Sequence, residues 1–478
     1  MINKILRVFI YQAILITGSF SQYVFQLHTT SELSNNGLDQ SPFWAKMNRW
    51  GTSPSNRQNA FNLLNISFLN KVNQSTQFKM GIEGASLGVI NHGVNSELYM
   101  SISHKGLTFL GGRKKHKLGE NNSPLSLGTM VVGSNAIPIP RVSLSLSEVH
   151  LLKIHSNPIK IKGGLSHGWL DKGIYTKAPL LHEKWLYFSY EQENYSGHLG
   201  LVHEAVWGGA TETFGSQPTS SEDFFRVFFL LGGSGASTSK EQTNALGNHL
   251  GMWDLGVRIK KANYNYHVYL QHPFEDQSGA RWLLNYPDGL WGLSIQSQNK
   301  KAKMTDFLVE LLYTMHQSGS EEVSDSTYGW DDYYNNYLYR GGWVYEGNVI
   351  GNPMFTLGQN EIRNWPHIVN NRIMALHTGV KGFISKNVEY KMWVTYSKNY
   401  GNYHDNDRSN RRGIDYQFDS GLTQLSYRVD LTTYKLLPQK NIATTLSLIG
   451  DQGELYNNSK MWMVGIDWFW AKTHTRKD

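Results

Sequence analysis

The chain has 478 residues, of which 40% are hydrophobic, 17% are charged and none is cysteine. The lack of cysteine excludes disulfides and thiolate metal sites. The net charge of +7 is scattered and lacks the concentrated basic face of a nucleic-acid binder. Beyond the N-terminus, no apolar run approaches the roughly 20 residues of a membrane-spanning helix. A glycine- and aromatic-rich chain of this kind is either a soluble all-β protein or an outer-membrane barrel.

The first 21 residues have the pattern of a secretory signal peptide. Two basic residues precede an apolar stretch over residues 8–20, and Ser19 and Ser21 stand at positions −3 and −1 of a cut before Gln22. The apolar stretch is too short for an anchor helix. We therefore expect residues 1–21 to carry the chain out of the cytoplasm.

A short helix is predicted near residues 41–50. Ser41 is placed to be its N-cap, Pro42 is its first helical residue and Gly51 follows its end. Such a helix before the main strands would plug a barrel lumen from the periplasmic side, and an ordinary amphipathic entry helix is the alternative. Farther along, the basic residues 113–117 predict a solvated loop or a contact with an acidic polymer.

Many segments of about ten residues alternate apolar and polar side chains, which is the period of a β-strand. The alternation is clear in residues 97–103, 264–271, 388–397, 425–432 and 461–470. These segments are longer than the usual strand of about 5–6 residues, and aromatic residues cluster at their ends. They favour a transmembrane antiparallel barrel of 16–18 strands over a soluble sandwich. Since no linker or repeat is found, the mature chain is predicted to be one domain, residues 22–478.

The search for catalytic motifs is negative. No zinc-protease, nucleophile-elbow, phosphate-loop or dinucleotide motif occurs, and the histidines lack metal-ligand spacing. The adjacent acids Asp331 and Asp332 leave a glycoside hydrolase as an alternative. We expect no enzyme, no cofactor and no metal.

Two segments combine aromatic with polar side chains. One covers residues 272–292 and the other lies in a long region without alternation, residues 318–371. Aromatic faces cover the apolar side of a sugar ring, while Asn, Asp and Arg hydrogen-bond its rim. The alternative, with equal weight, is packing over the barrel mouth. The polysaccharide-binding residues predicted from this composition are Arg281, Trp282, Tyr286, Asp288, Trp291, Tyr333, Tyr334, Asn335, Asn336, Tyr337, Arg340 and Trp343.

The same segments resemble those of the capsule assembly Wzi family. The resemblance rests on an ordered set of motifs over nearly the whole mature chain: FWAKMNRWGTSP, GSNAIPIPR, LLHEKWLYF, HPFEDQSG with NYPDGLWGL, DDYYNNYLYRGGWVYEGNVIGNPMF and TYSKNYGNY. It implies an outer-membrane barrel of about 18 strands, periplasmic helices that occlude the lumen, and surface loops that hold capsular polysaccharide as a lectin. It implies no catalytic centre.

Three functions follow as alternatives. The first is an outer-membrane protein that binds capsular polysaccharide and assists capsule assembly or attachment. The second is a porin or sugar channel, and the third is a polysaccharide hydrolase. For the first, the expected partners are surface polysaccharide and the outer-membrane bilayer, with the capsule export machinery as a further candidate. We expect a monomer and no contact with nucleic acid.

Overall fold

The computed structural model describes residues 22–35, 41–52, 60–87, 92–154, 157–275, 285–317, 331–360, 365–402, 418, 420–434 and 441–475. The predicted signal peptide lies outside these residues. The strands are β1 (Gln22–Ser34), β2 (Ala60–Lys71), β3 (Thr76–Leu87), β4 (His92–His104), β5 (Leu107–Arg113), β6 (Arg141–Ile154), β7 (Asn157–Trp169), β8 (Leu180–Glu191), β9 (Tyr195–Trp207), β10 (Ala210–Thr211), β11 (Gly215–Ser216), β12 (Asn248–Lys261), β13 (Tyr264–Phe274), β14 (Gly289–Ser297), β15 (Asp306–Tyr313), β16 (Val344–Tyr345), β17 (Asn348–Val349), β18 (Thr356–Asn360), β19 (Trp365–Asn370), β20 (Ile373–Ser385), β21 (Val388–Asn399), β22 (Leu422–Thr433), β23 (Ile442–Gly453) and β24 (Ser459–Thr475).

Within the same ranges, the helices are α1 (Phe43–Lys46), α2 (Ser221–Phe228) and α3 (Ser239–Thr243). None of these helices has the length and hydropathy of a membrane-spanning helix.

Eighteen strands form one closed antiparallel sheet. Each barrel strand pairs with the next along the chain, except that β9 pairs with β12 and β15 with β20, because the short strands between them form separate hairpins. The first strand closes the barrel, since Gln22 lies opposite both Lys71 of β2 and Thr475 of β24. The predicted all-β barrel of about 18 strands is confirmed.

The two faces of the wall differ in the way the alternation predicts. On β24, Trp462 and Val464 are exposed on the outer face, whereas Met461 and Met463 are buried on the inner face. Polar side chains also lie inside, as Glu310 of β15 does, and are fully buried there. An apolar outside and a polar inside suit a wall between lipid and a lumen.

The two ends of the barrel differ in the length of their connections. At one end, where β1 begins and β24 ends, neighbouring strands are joined by short turns, such as the two-residue turns 105–106 and 262–263. The opposite end carries the connections 114–140, 208–247 and 314–372. Outer-membrane barrels keep short turns in the periplasm and long loops outside. We therefore name the end with the long connections the outer end, and the predicted long region lies there.

The predicted helix near residues 41–50 is only one turn long. Pro42 is its N-cap, without a side-chain cap bond, and Met47 is already extended. The chain leaves the helical path because it pairs with another segment: the Trp50 amide donates to the Ser134 carbonyl at 2.6 Å. Trp50 also has a left-handed φ of 56°. A tertiary contact overrides the local helix signal.

The helix α1 lies inside the barrel. The Phe43 amide donates to Asp451 Oδ2 at 2.8 Å, and the Trp44 indole donates to Thr395 Oγ1 at 3.2 Å. Asp451 lies toward the outer end of β23, and α2 and α3 belong to the connection 208–247 at the same end. The short helices therefore occupy the outer end, which corrects their predicted periplasmic position.

Candidate functional site

A segment of the chain fills the lumen. It consists of residues 114–140, which connect β5 to β6, and we name it the plug segment. Its apolar side chains belong to the main buried cluster of the barrel, together with inward residues of the wall. Those of the plug that are almost fully buried are Leu118, Leu125, Leu127, Met130 and Val131. The barrel interior is therefore a packed core along this segment.

Glu310 of β15 is the main polar anchor of the plug segment. Its carboxylate accepts hydrogen bonds from Asn121 Nδ2 at 2.8 Å, from Ser126 Oγ at 2.9 Å and from the Leu127 amide at 2.6 Å. The Tyr269 hydroxyl of β13 donates to the same group. Because these donors surround one buried carboxylate, its burial is compensated.

Other inward side chains of the wall hold the plug backbone directly. Asp254 of β12 accepts from the Glu120 amide at 2.7 Å. Four strands farther round the barrel, on β20, His377 Nε2 lies 2.7 Å from the Leu125 carbonyl oxygen. The plug backbone is therefore bonded to several wall strands from inside the lumen and narrows it.

The basic residues 113–117 do not form the predicted solvated loop. The Lys115 ammonium lies 2.5 Å from Glu83 of β3, and its amide donates to Glu97 of β4 at 2.8 Å. Lys117 donates to the Asn121 carbonyl at 2.8 Å. Carboxylates on the inner wall, distant in sequence, draw this cluster into the barrel.

A second segment, residues 331–355, covers the plug at the outer end, and we name it the cap segment. The Tyr334 hydroxyl donates to the Met130 carbonyl of the plug, and the Trp343 indole donates to the Val131 carbonyl at 2.7 Å. Both side chains are almost completely buried. Tyr334 and Trp343, predicted to bind sugar, join the cap to the plug in this structure.

Asp288 and Tyr333 hold the base of the cap. Asp288 accepts from the Tyr333 hydroxyl at 3.0 Å, and from the amides of His316 at 2.8 Å and Gln317 at 2.7 Å. Burial raises the pKa of Asp288 to about 7, and the three donors oppose this rise. Since both side chains are fully buried, their contacts are internal.

Asn335 joins the cap to β19, and Asn336 makes an internal turn of the cap. Asn335 Oδ1 accepts from the Ile368 amide at 3.0 Å, and Asn336 Oδ1 accepts from the amides of Leu338 at 2.9 Å and Tyr339 at 3.0 Å. The local bonds of Asn336 are the usual use of Asn in tight turns.

Asp331 and Asp332 are engaged with asparagine side chains. Asn285 donates to Asp331 Oδ2 at 3.1 Å. Asn335 and Asn371 donate to Asp332 Oδ1 at 3.0 and 2.6 Å. The two carboxylates therefore accept hydrogen bonds that join the cap to neighbouring segments.

Tyr286 and Trp291 lie away from the cap. Trp291 stands on β14 opposite Leu311, whose side chain is exposed on the outer wall. Tyr286 is 52% exposed, and its ring lies 6.2 Å from that of Trp291 at 78°. This pair has the position of an interfacial aromatic girdle. Arg281 and Trp282 fall outside the described residues.

A group of rings and cations stands at one accessible edge of the cap, where the connection 208–247 meets it, and we name it the cap-edge cluster: Phe214, Lys240, Tyr337 and Arg340. The Arg340 guanidinium lies 5.2 Å from the Phe214 ring centre, and the Lys240 ammonium 4.8 Å from that of Tyr337. The two rings meet edge to face at 5.9 Å. All four side chains are half-buried or exposed.

Tyr337 is fixed in this cluster by its hydroxyl group. It donates to Glu241 Oε1 at 3.0 Å and lies 2.9 Å from Thr238 Oγ1. Burial and the adjacent Glu241 carboxyl raise the pKa of Tyr337, so its hydroxyl stays neutral. A fixed ring flanked by two cations offers an apolar face and positive charge together.

The prediction from sequence included Tyr337 and Arg340 but missed Phe214 and Lys240. The missed residues belong to the connection 208–247, about one hundred residues before the cap in sequence. No local pattern links the two stretches, and the barrel topology alone brings them together. Among the described residues, no three His, Asp or Glu side chains are arranged to hold a metal ion.

The fold and the filled lumen define a plugged transmembrane β-barrel of the outer membrane. The profile of the family described as capsule assembly protein Wzi matches residues 93–360, which is more than half of the chain. The chain therefore belongs to the capsule assembly protein Wzi family, and its location is the outer membrane.

Solved structures are similar over almost the whole chain. One is described as Wzi, a carbohydrate-binding β-barrel of the outer membrane involved in group 1 capsule assembly in Escherichia coli. It is 13% identical, covers 95% of this chain and 86% of its own, and gives a TM-score of 0.56. The outer-membrane protein OpdK of Pseudomonas aeruginosa is 7% identical, with coverage of 95% and 99% and a TM-score of 0.47. No curated protein sequence matches the chain.

Proposed function

We propose that this protein binds capsular polysaccharide at the outer end of the barrel and assists capsule assembly or attachment without cleaving the polymer. The observation that carries the proposal is the cap-edge cluster, in which two accessible rings lie beside two cations. Aromatic rings suit the C–H faces of sugars, and Arg suits carboxylate or phosphate substituents. The carbohydrate-binding description of the Escherichia coli Wzi structure agrees with it.

In this proposal residues 1–21 are the export signal, and the barrel acts as a monomer that receives polymer from the capsule export machinery. A binding role also agrees with the interior. An open porin needs a water-filled lumen, whereas the plug segment packs as a core against inward residues of the wall. A hydrolase needs a free acid pair, whereas Asp331 and Asp332 accept hydrogen bonds from asparagines.

Binding is tested with purified protein and capsular polysaccharide from the native host. Tyr337→Ala and Arg340→Ala should each weaken binding, the ring by about 1–3 kcal/mol if stacking resembles that of bases on aromatic side chains. Lys301→Ala is the matched control, because Lys301 lies 4.0 Å from the Phe383 ring centre at the periplasmic end. Unchanged binding by both cap-edge variants would exclude this surface.

The cellular role is tested by deleting the gene in its host and measuring capsular polysaccharide in the cell pellet and in the medium. Attachment predicts a normal total with a shift into the medium. An unchanged ratio in a strain that makes capsule would contradict the proposal and favour the channel alternative.

A further inference from the structure

The outer face of the wall becomes polar near the outer end of β7, β8, β9 and β12. His167 lies opposite His182, His182 opposite Ala205, and Ala205 opposite His249, so these side chains form one row on the same face. In the neighbouring row, Lys184 lies opposite His203. Farther along the same face of β8 come Leu186 and Phe188, which are exposed toward lipid. Contact of imidazole and ammonium groups with acyl chains is energetically unfavourable, because these groups lose their hydration.

The helix α2 covers these polar rows from outside the barrel. The Phe224 ring contacts His182 edge to face at 5.3 Å and Trp207 at 6.0 Å. The Lys184 ammonium lies 4.3 Å from the Phe228 ring centre and donates to the Phe228 carbonyl. His182 is fully buried as a result. The helix thus separates the polar rows from the surroundings of the barrel.

The helix is locally well defined. Ser220 and Asp223 form a capping box at its N-terminus, and Glu222 pairs with Arg226 at 2.6 Å one turn later. After its end, Arg226 Nη1 donates to the Gly232 carbonyl at 2.8 Å. These bonds define the helix itself, and the contacts of Phe224 with His182 and of Phe228 with Lys184 fix which side faces the wall.

The side of α2 that faces away from the wall carries Phe225 and Phe229, with the exposed Glu222 of the first turn on the same side and paired with Arg226. Phe225 is 58% exposed, Phe229 is 60% exposed and Leu231 is 51% exposed. Two exposed phenylalanines and a leucine side by side form a patch of the kind that marks a protein or membrane contact. The patch adjoins the lipid-facing wall, because Phe228 of α2 covers Lys184 and the next residue on that face of β8 is the exposed Leu186.

We propose that Phe225, Phe229 and Leu231 insert among the acyl chains of the outer leaflet, so that α2 replaces the polar wall beneath it as the lipid-contacting surface. The continuity of this patch with the lipid-facing wall favours acyl chains as its occupant. An amphipathic helix that lies in the interface plane with its apolar side in the acyl region is a known mode of membrane contact. The proposal concerns the anchoring of the barrel and is independent of polysaccharide binding.

The absence of cysteine from the chain permits a direct test with single nitroxide labels. Phe225→Cys, Phe229→Cys and Leu231→Cys are each labelled and reconstituted in vesicles that contain lipopolysaccharide. Collision rates with oxygen, which concentrates in acyl chains, and with a water-soluble nickel chelate are measured. Leu199→Cys on the wall is the lipid reference, and Glu346→Cys on an exposed turn of the cap is the water reference. Heat-modifiable migration on gels verifies that each variant is folded.

The expected result is an oxygen-to-nickel collision ratio at the three helix positions that matches Leu199→Cys and exceeds Glu346→Cys severalfold. A ratio like that of Glu346→Cys would place the patch in water and overturn the proposal. Low collision rates with both reagents would mean that a protein, such as a second copy of this chain, covers the patch, which also overturns it. Three separate label positions keep the test valid if one variant does not fold.

Discussion

The hydroxyl of Tyr334 connects the two segments that close this barrel. It donates a hydrogen bond to the Met130 carbonyl of the plug segment and accepts one from the Asn352 amide of the cap at 2.9 Å. The ring is almost completely buried and packs edge to face on Phe355 at 4.4 Å. One side chain therefore ties the cap to the plug through both its ring and its hydroxyl.

Tyr334→Phe should destabilise the cap while leaving its ring packing intact. Removal of the hydroxyl leaves the buried Met130 carbonyl and the Asn352 amide without this partner, which costs about 1–3 kcal/mol. The expected result is faster hydrogen exchange of amides 334, 350–352, 354 and 355, with a lower urea midpoint for unfolding.

Tyr390→Phe is the matched control. Its hydroxyl also donates to a backbone carbonyl, that of Lys303 at 2.8 Å, but at an exposed site near the periplasmic turns. We expect a change below about 0.5 kcal/mol there. Equal effects of the two variants would contradict a special role for the buried bond.

Glu310→Ala should loosen the plug segment and open the lumen. The substitution removes the acceptor of Asn121, Ser126 and the Leu127 amide at once. In planar bilayers we expect negligible steady conductance from the native protein and frequent channel openings from the variant.

Glu389→Ala is the control for this experiment. Glu389 pairs with Lys381 at 3.4 Å between neighbouring wall strands, and its loss should leave conductance unchanged. A steady conductance in the native protein itself would instead support the channel alternative.

The barrel wall could be predicted from the sequence because its signal is local. Each strand alternates between lipid and lumen, so residues 388–397 predict a strand that the structure places at Val388–Asn399. The plug could not be predicted in this way. Its backbone is held by Glu310 and Asp254, far away in sequence, and its charges pair with inner-wall acids such as Glu83.

The composition of the loops indicated that their aromatic and polar side chains make contacts. It did not indicate whether those contacts are with the protein itself or with a ligand. Tyr334 and Tyr337 are three residues apart in the same motif. One is buried against the plug, and the other stands beside Lys240 at the edge of the cap. Sequence alone does not separate a ring that packs from a ring that is available to a ligand, because the separation depends on segments folded over it.

The buried Asp288 should make the stability of the cap depend on pH. Its pKa is raised by burial from 3.8 to about 7, so the folded protein holds a proton that the unfolded chain has lost. The free energy of unfolding should therefore fall between about pH 4 and pH 7, by at most about 1.4 kcal/mol per pH unit, and level off above.

This dependence is measured as the difference between the native protein and Asp288→Asn in urea unfolding from pH 4 to pH 8. Because asparagine does not titrate, the difference isolates the contribution of Asp288 from that of other carboxyl groups. The control is Glu346→Gln, at an exposed position. Its curve of unfolding free energy against pH should be parallel to that of the native protein. If the difference in unfolding free energy between the native protein and Asp288→Asn instead rises with pH, the three hydrogen-bond donors outweigh burial in setting the pKa of Asp288.

If the bound polymer is acidic, binding at the cap edge should weaken with salt. Arg340 and Lys240 lie beside the two rings and remain accessible, so they would attract carboxylate or phosphate groups of the polymer. Salt screens this attraction, because it shortens the Debye length. Raising NaCl from ~0.05 M to ~0.5 M, which reduces the Debye length roughly threefold, should weaken native binding severalfold. The double variant Arg340→Gln, Lys240→Gln should bind more weakly at low salt and respond much less to the increase. Equal salt responses of the two proteins would mean that the polymer is held by the rings alone, and Tyr337→Ala would then carry the whole loss of affinity.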